Sequence, residues 1–253
     1  MKKYQKIVEE WKNKKISTVT DLDQALENYR VLFAFHSNKI ENPAITYHDT
    51  REIFEHGRVS NYTGDLRTLY EIENQKICYE FLREKILDKE PLSKELILKI
   101  HKLLMRGCYD EKRYAKGERP GTWKKNMYVV GDETGVEPEE VEQEIQFILD
   151  EVNQPGISQP LTAAAYLHLN FESIHPHADG NGRVGRTLMN YYLMLHDHPP
   201  LIIYEEDRSA YYMALALFDK TDEIEGFVRF LKEETEKTWN FKKAKRIPLS
   251  SCQ

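Results

Sequence analysis

His175-Pro-His-Ala-Asp179-Gly-Asn-Gly-Arg183-Val-Gly-Arg186 joins two apolar segments, Leu161 to Ile174 before it and Thr187 to Leu195 after it. The apolar segments read as buried helices, and the polar stretch between them reads as a tight loop capping the start of the second helix. Gly180-Asn-Gly182 permits positive φ and close backbone approach, so this loop offers unpaired N–H groups to an anion. Asp179 suits a hard divalent cation, Arg183 and Arg186 suit phosphate oxygens, and His175 exchanges a proton near neutral pH. The two arginines lie three apart and share one side of a helical turn. Each residue alone has a plainer reading, with Asp179 as an N-cap, the arginines as surface charges and His175 as a core histidine. The combination points to phosphate handling.

Working outward, apolar residues recur at helical spacing: Ile7 with Trp11, Leu22 with Leu26, Leu96 with Ile100, Leu103 and Leu104, and Val141 with Ile145, Ile148 and Leu149. The fold class expected is mainly α. Ser93 before Glu95, and the Glu137-Pro138-Glu-Glu run, mark helix starts near Ser93 and Glu137. The one β signal is Asn126-Met-Tyr-Val-Val-Gly131, bounded by Gly121 and by Gly131 to Gly135, which reads as a small hairpin that must lie on the helical body.

With 253 residues and 40% hydrophobic side chains the chain can build a substantial core. A net charge of -6 argues against a surface given over to nucleic acid, so no direct nucleic-acid binding is expected. Cys78, Cys108 and Cys252 show neither disulfide nor zinc-ligand spacing, which fits a reducing compartment. The first residues lead into a charged amphipathic segment, and no apolar run reaches membrane-spanning length. A soluble, cytoplasmic protein without membrane contact is expected. No repeat or linker divides it, and Lys242 to Arg246 reads as part of a solvated end.

The stretch from His175 to Arg186 resembles the signature of Fic (Fido) domain proteins, His-x-Phe-x-Asp/Glu-Gly-Asn-Gly-Arg-x-x-Arg, at every fixed position except His177, which stands where Phe is usual. The resemblance extends over roughly residues 30 to 235 and implies a helical Fic/Fido fold with a β-hairpin flap over the active site. It implies an N-terminal helical region at 1–90, a catalytic domain at 91–235 and a tail at 236–253. The implied activity is Mg²⁺-dependent transfer of AMP from ATP to a Ser, Thr or Tyr hydroxyl of a protein, with release of pyrophosphate and with self-modification as one outcome; Mn²⁺ is an alternative cation.

Carried over by position, His175 would deprotonate the target hydroxyl and Asp179 would hold the metal. Gly180, Asn181 and Gly182 would form the anion hole, with Asn181 also on the α-phosphate, and Arg183 and Arg186 would hold the β- and γ-phosphates. Phosphoryl-type transfer asks chiefly for positioning and charge neutralisation, which such groups supply. The flap would receive the target as an added strand, with Tyr128, Val129, Val130 and Gly131 facing the nucleotide. Tyr211 and Tyr212 match the helix that helps hold the base, with core packing as the alternative reading. Asp219 stands where many relatives have Asn; it accepts from an exocyclic amine but cannot donate. His177 must find a hydrogen-bond partner or stay exposed; either its pairing tilts the loop or it is a second titratable group near the base, and activity is expected to survive with altered pH dependence.

Ser37-Asn-Lys-Ile-Glu41-Asn42 fits the family's inhibitory-helix pattern Ser/Thr-x-x-x-Glu-Gly/Asn. The resemblance implies a helix over about 31–42 in which Glu41 pairs with Arg186, and Asn42 before Pro43 should end it. Transfer of another group such as UMP, phosphate or phosphocholine, removal of AMP, and nucleotide binding with little turnover are the alternatives. Relatives often assemble, so a homo-oligomer is a further expectation.

Overall fold

The computed structural model describes residues 2–130 and 133–240. Among the described residues the chain runs through α1 (Lys2–Lys12), α2 (Val19–Ala25), α3 (Glu27–Glu41), α4 (Tyr47–His56), α5 (Leu66–Leu87), α6 (Lys94–Leu104) and α7 (Glu111–Ala115). Two short strands follow, β1 (Val129–Val130) and β2 (Glu133–Thr134), then α8 (Val141–Val152), α9 (Pro160–Ile174), α10 (Asn181–Leu195), α11 (Arg208–Thr221) and α12 (Glu225–Thr238). The mainly α expectation holds. Among the described residues no helix is long and apolar enough to cross a membrane.

Helices α9 and α10 pack against each other more extensively than any other pair and form the centre. The apolar residues Val184, Leu188, Met189, Tyr191, Tyr192 and Leu193 cover one broad side of α10, and Arg183, Arg186 and Asn190 on the remaining side are buried as well, so the helix is surrounded. Helices α3, α5 and α6 pack on α10, and α8 and α12 on α9. Ser93 caps α6, its hydroxyl accepting from Leu96 N–H at 3.1 Å, so Leu96, Ile97, Ile100 and Leu104 turn inward together.

Two boundaries differ from expectation. The Glu137-Pro-Glu-Glu140 run forms a turn, closed by Glu140 N–H on Glu137 O at 3.0 Å, and α8 starts only at Val141. The second central helix begins at Asn181 rather than after the motif, so Gly182, Arg183 and Arg186 stand on a helix and the connecting loop is only His175–Gly180. The segment read as a hairpin pairs over two residues a side, Val129 with Thr134 and Val130 with Glu133, antiparallel. Tyr128, just before it, packs on Met105, Cys108, Tyr109 and Ala178. The expected tail boundary at 235 falls inside α12, and the basic run Lys242 to Arg246 lies outside the described residues.

Gly180 enters α10 at φ 87°, and a Cβ there would collide with the Met105 side chain. Gly180→Ala should therefore lose about 1–3 kcal/mol of stability. Gly156 has a similar φ of 83° and no atom within 4 Å of an added Cβ, so Gly156→Ala should lose less. Denaturant midpoints of the two variants measure the difference.

Candidate active site

His175 ends α9 in the left-handed region, at φ 51° and ψ 63°, with its N–H donating to Phe171 O at 3.1 Å. Its Nδ1 is buried and has no hydrogen-bond partner among the described residues. Burial first, and then the Lys124 ammonium, push the imidazole down to about 4, against the opposing pull of Asp179, Glu41 and the Glu172 backbone. The ring is therefore neutral at pH 7 and can accept a proton.

His177 is fully buried. Its ring stacks on His101 at 3.6 Å between centroids and on Trp123 at 5.2 Å, and its Nδ1 donates to Thr122 O at 2.9 Å. The expected partner is thus found. The expected second titratable group is not, because burial, followed by the nearby His101, holds the His177 imidazole well below its ordinary range. His101 accepts from Gly121 N–H through Nδ1 at 2.9 Å, which leaves Nε2 to donate to Asp179 O at 3.1 Å. Asn181 ties the same loop: Oδ1 accepts from His177 N–H at 2.9 Å and Nδ2 donates to His177 O at 2.8 Å. Its side chain is thus engaged with the loop, and the anion-facing groups left at this point are the first N–H groups of α10.

The two arginines part company. Arg183, buried, donates from Nη1 to Glu71 Oε1 on α5 at 2.9 Å and lies 3.5 Å from Asp179 Oδ1. Asp179 is also contacted through Oδ2 by Arg67 at 3.1 Å and Arg113 at 3.2 Å. Arg186 turns instead to α3. Its Nε donates to Ser37 Oγ at 3.1 Å, and its Nη2 donates to Ser37 O at 2.9 Å and to Glu41 Oε1 at 2.7 Å. A Cβ on Gly182 would strike the Glu41 carboxylate. Asn42 ends α3 in extended conformation at φ -126°, as expected before a proline, and its Nδ2 donates to Glu71 Oε2 at 2.7 Å. Helix α3 begins at Glu27, one turn earlier than the expected 31.

At the α11 side, Tyr211 is buried, with its ring beside Phe227 and its hydroxyl 2.8 Å from His168 Nε2. This is the packing alternative, and Tyr211 offers no free edge to a ligand. Tyr212 is exposed, with the Arg208 guanidinium 5.3 Å from its ring centre. Asp219 accepts from the Ser173 hydroxyl at 2.8 Å, which joins α11 to the last turn of α9. Tyr128 donates to Glu118 Oε1 at 3.0 Å; Val129 and Val130 contribute backbone pairing, and Gly131 lies outside the described residues.

Sequence reading missed Glu71, Arg67, Arg113, Lys124, Glu118 and Glu172. Only Arg67 with Glu71 carried a local signal, an i, i+4 pair on one helix, here 3.0 Å apart. Half-buried Glu172 sits beside Gly185 and Arg186, and burial raises its carboxyl to about 8.

Fold and motif together make this a helical protein with a phosphate-type loop between its two central helices. Residues 91–193 match the Fic/DOC family, so this part of the chain is a Fic domain. It is 32% identical over 206 residues to protein adenylyltransferase Fic of Drosophila erecta, covering 81% of this chain and 40% of that one. It is 28% identical over 221 residues to protein adenylyltransferase fic-1 of Caenorhabditis elegans, covering 86% and 42%. The chain thus spans about two fifths of the length of the curated relatives it matches. Among solved structures, a Fic domain containing signaling protein from Bacteroides thetaiotaomicron superposes with a TM-score of 0.80 at 24% identity over 93% of both chains. Fic-1 from C. elegans gives 0.76 at 25%, over 93% of this chain and 69% of that one.

Glu71→Ala leaves the buried Arg183 guanidinium with its 3.5 Å contact to Asp179 in place of a short buried pair and should cost about 3–5 kcal/mol. Arg67→Ala removes a partner that is one-third exposed and should cost less than about 1 kcal/mol. Chemical denaturation of both variants measures the contrast.

Proposed function

We propose that the protein is a Mg²⁺-dependent protein adenylyltransferase that moves AMP from ATP to a Ser, Thr or Tyr hydroxyl of a protein, and that α3 holds it off. The observation that carries this reading is the seating of Arg186 on both Ser37 and Glu41, the two positions that define the inhibitory pattern. The relatives named protein adenylyltransferase support the reaction itself.

In the transfer, the target hydroxyl oxygen forms a bond to the α-phosphorus, the bond from that phosphorus to the β-bridging oxygen breaks, and pyrophosphate leaves. The hydroxyl proton passes to His175, which is neutral above about pH 4 and so remains a base through the physiological range. The N-terminus of α10 and Arg186 stabilise the charge on the phosphates. Arg183, locked to Glu71, acts at the phosphates by its field and by orienting Asp179.

The donor set fits magnesium. Among the described residues no group of three or more His, Cys, Asp and Glu forms a closed cage, and magnesium is commonly held by one or two carboxylates with substrate phosphates and water. Asp179, partly exposed at the loop edge, would be that carboxylate once an arginine contact on Oδ2 loosens. When bound, the ion neutralises phosphate charge. The β1–β2 pair is the flap in this reading, placing an extended target segment beside His175. Asp219, with one oxygen held by Ser173, favours a base carrying an exocyclic amine.

Glu41→Gly frees Arg186 and should raise label transfer from α-phosphate-labelled ATP, onto the protein itself or a lysate target, by about tenfold or more. His175→Ala in that background should lower it by about 10²- to 10⁴-fold. Competition by unlabelled GTP, CTP and UTP reads the base preference. Absence of label from Glu41→Gly with every nucleotide would overturn the proposal.

A further inference from the structure

Lys124 is a buried charge beside His175 that the transfer reaction, as set out above, leaves without a role. It is 2% exposed, and it grips the chain on both sides of His175. Its backbone N–H donates to Pro176 O at 2.8 Å, and its Nζ donates to Ile174 O at 3.3 Å. These carbonyls flank the residue that holds φ 51° without being glycine. Gly135, beyond the strand pair, closes the same contact from the other end: a Cβ there would lie 2.5 Å from Ile174 O, 2.8 Å from His175 Cβ and 3.0 Å from Lys124 Nζ. The two ends of the hairpin segment thus meet at His175.

We infer that Lys124 is a positioning residue for the reaction: its two hydrogen bonds hold the left-handed backbone of His175 and place an ammonium beside its imidazole. Left-handed backbone at a non-glycine residue costs about 1–3 kcal/mol and persists where the surroundings over-determine it. Two bonds to adjacent carbonyls are such an over-determination. The ammonium lies at the C-terminal end of α9, where the helix dipole favours a cation. Burial lowers the Lys124 pKa while Glu137 opposes the shift, so Lys124 is a less fully held proton than a surface lysine. The charges facing His175 are Lys124 from the loop before the hairpin, Asp179 from its own loop and Glu41 from α3; of these, Lys124 alone disfavours protonation. Because the hairpin base and the histidine share Lys124, a segment docking on the hairpin also bears on the orientation of the ring.

This inference rests on the reading of His175 as base, and the test separates the two. The His175 imidazole is followed by NMR titration in the intact chain, with the resonance assigned by its loss in His175→Ala. Lys124→Met should raise the His175 midpoint by about one pH unit, roughly tenfold in proton affinity. Lys124→Arg should leave it near the parent value. Lys124→Gln, which keeps a donor for Ile174 O but removes the charge, should raise it as Met does and serves if Lys124→Met fails to fold. In the Glu41→Gly background the acid limb of the pH profile for label transfer should move upward with the same variants. An unchanged His175 midpoint in both neutral variants overturns the inference, whatever the transfer assay shows. Persistent transfer in His175→Ala overturns the reading of the base and leaves the titration to judge the clamp.

Discussion

Arg186 carries a buried positive charge, 1% exposed, and every hydrogen bond that its guanidinium makes among the described residues goes to α3. A guanidinium removed from water to this degree must keep a partner, because an unpaired buried charge costs several kcal/mol. The placement of α3 follows. Ser37 and Glu41 are one turn apart, so a single helical face presents hydroxyl, carbonyl and carboxylate to one planar fork. Gly182 follows as well, since any side chain there would take the space of the Glu41 carboxylate. Arg186 Nη1 alone has no partner among the described residues. In the proposed reaction a nucleotide phosphate would take the place of the Glu41 carboxylate, being an anion of the right charge and fork geometry.

The second arginine of the motif obeys the same physics with the opposite result. Arg183 pairs with Glu71, which is 2% exposed, whereas the Glu41 side chain is 31% exposed. Glu71 also accepts from Arg67 and Asn42, so it has nowhere better to go; Glu41 has water at its edge. One pair is closed off from water and the other meets it at one edge. Asn42 joins them, ending α3 while holding Glu71. An opening of α3 beyond Glu41 would therefore disturb Glu71 and, through Arg183, the carboxylate of Asp179.

What the sequence made legible was local. The apolar faces around Leu96 and Ile145, the cap at Ser93 and the stop at Asn42 before Pro43 are decided by neighbours within one turn. The spacing of Ser37, Glu41 and Arg186 became meaningful only through the family resemblance, since 145 residues separate the last two. Lys124 was invisible for the same reason, since a charged residue on a polar-looking segment reads as solvated until the packing buries it. Tyr211 was ambiguous because an aromatic at helical spacing suits a core and a ligand equally, and His168 decided it. The start of α10 was misplaced because Gly182 and Gly185 are poor helix formers. Both are required there by close approach, Gly185 to Glu172 and His168, and tertiary packing overrode propensity.

His177 shows how a departure from a family pattern can preserve its physics. An apolar ring at this position would anchor the loop by burial; an imidazole does so only if its polar edge is satisfied and its charge suppressed. The Thr122 carbonyl satisfies the donor Nδ1–H while Nε2 has no partner among the described residues, and the parallel face of His101 makes protonation of His177 unfavourable. His101 in turn fixes the Asp179 backbone, so the stack reaches the carboxylate proposed to hold the metal. The substitution therefore exchanges a hydrophobic anchor for a neutral aromatic stack whose hydrogen bonds specify the loop more closely than burial alone. Each imidazole of this loop keeps one unpartnered ring nitrogen, His175 Nδ1 and His177 Nε2, but His177 is sealed in the stack at 0% exposure, which leaves His175 as the one placed to accept a proton from a ligand.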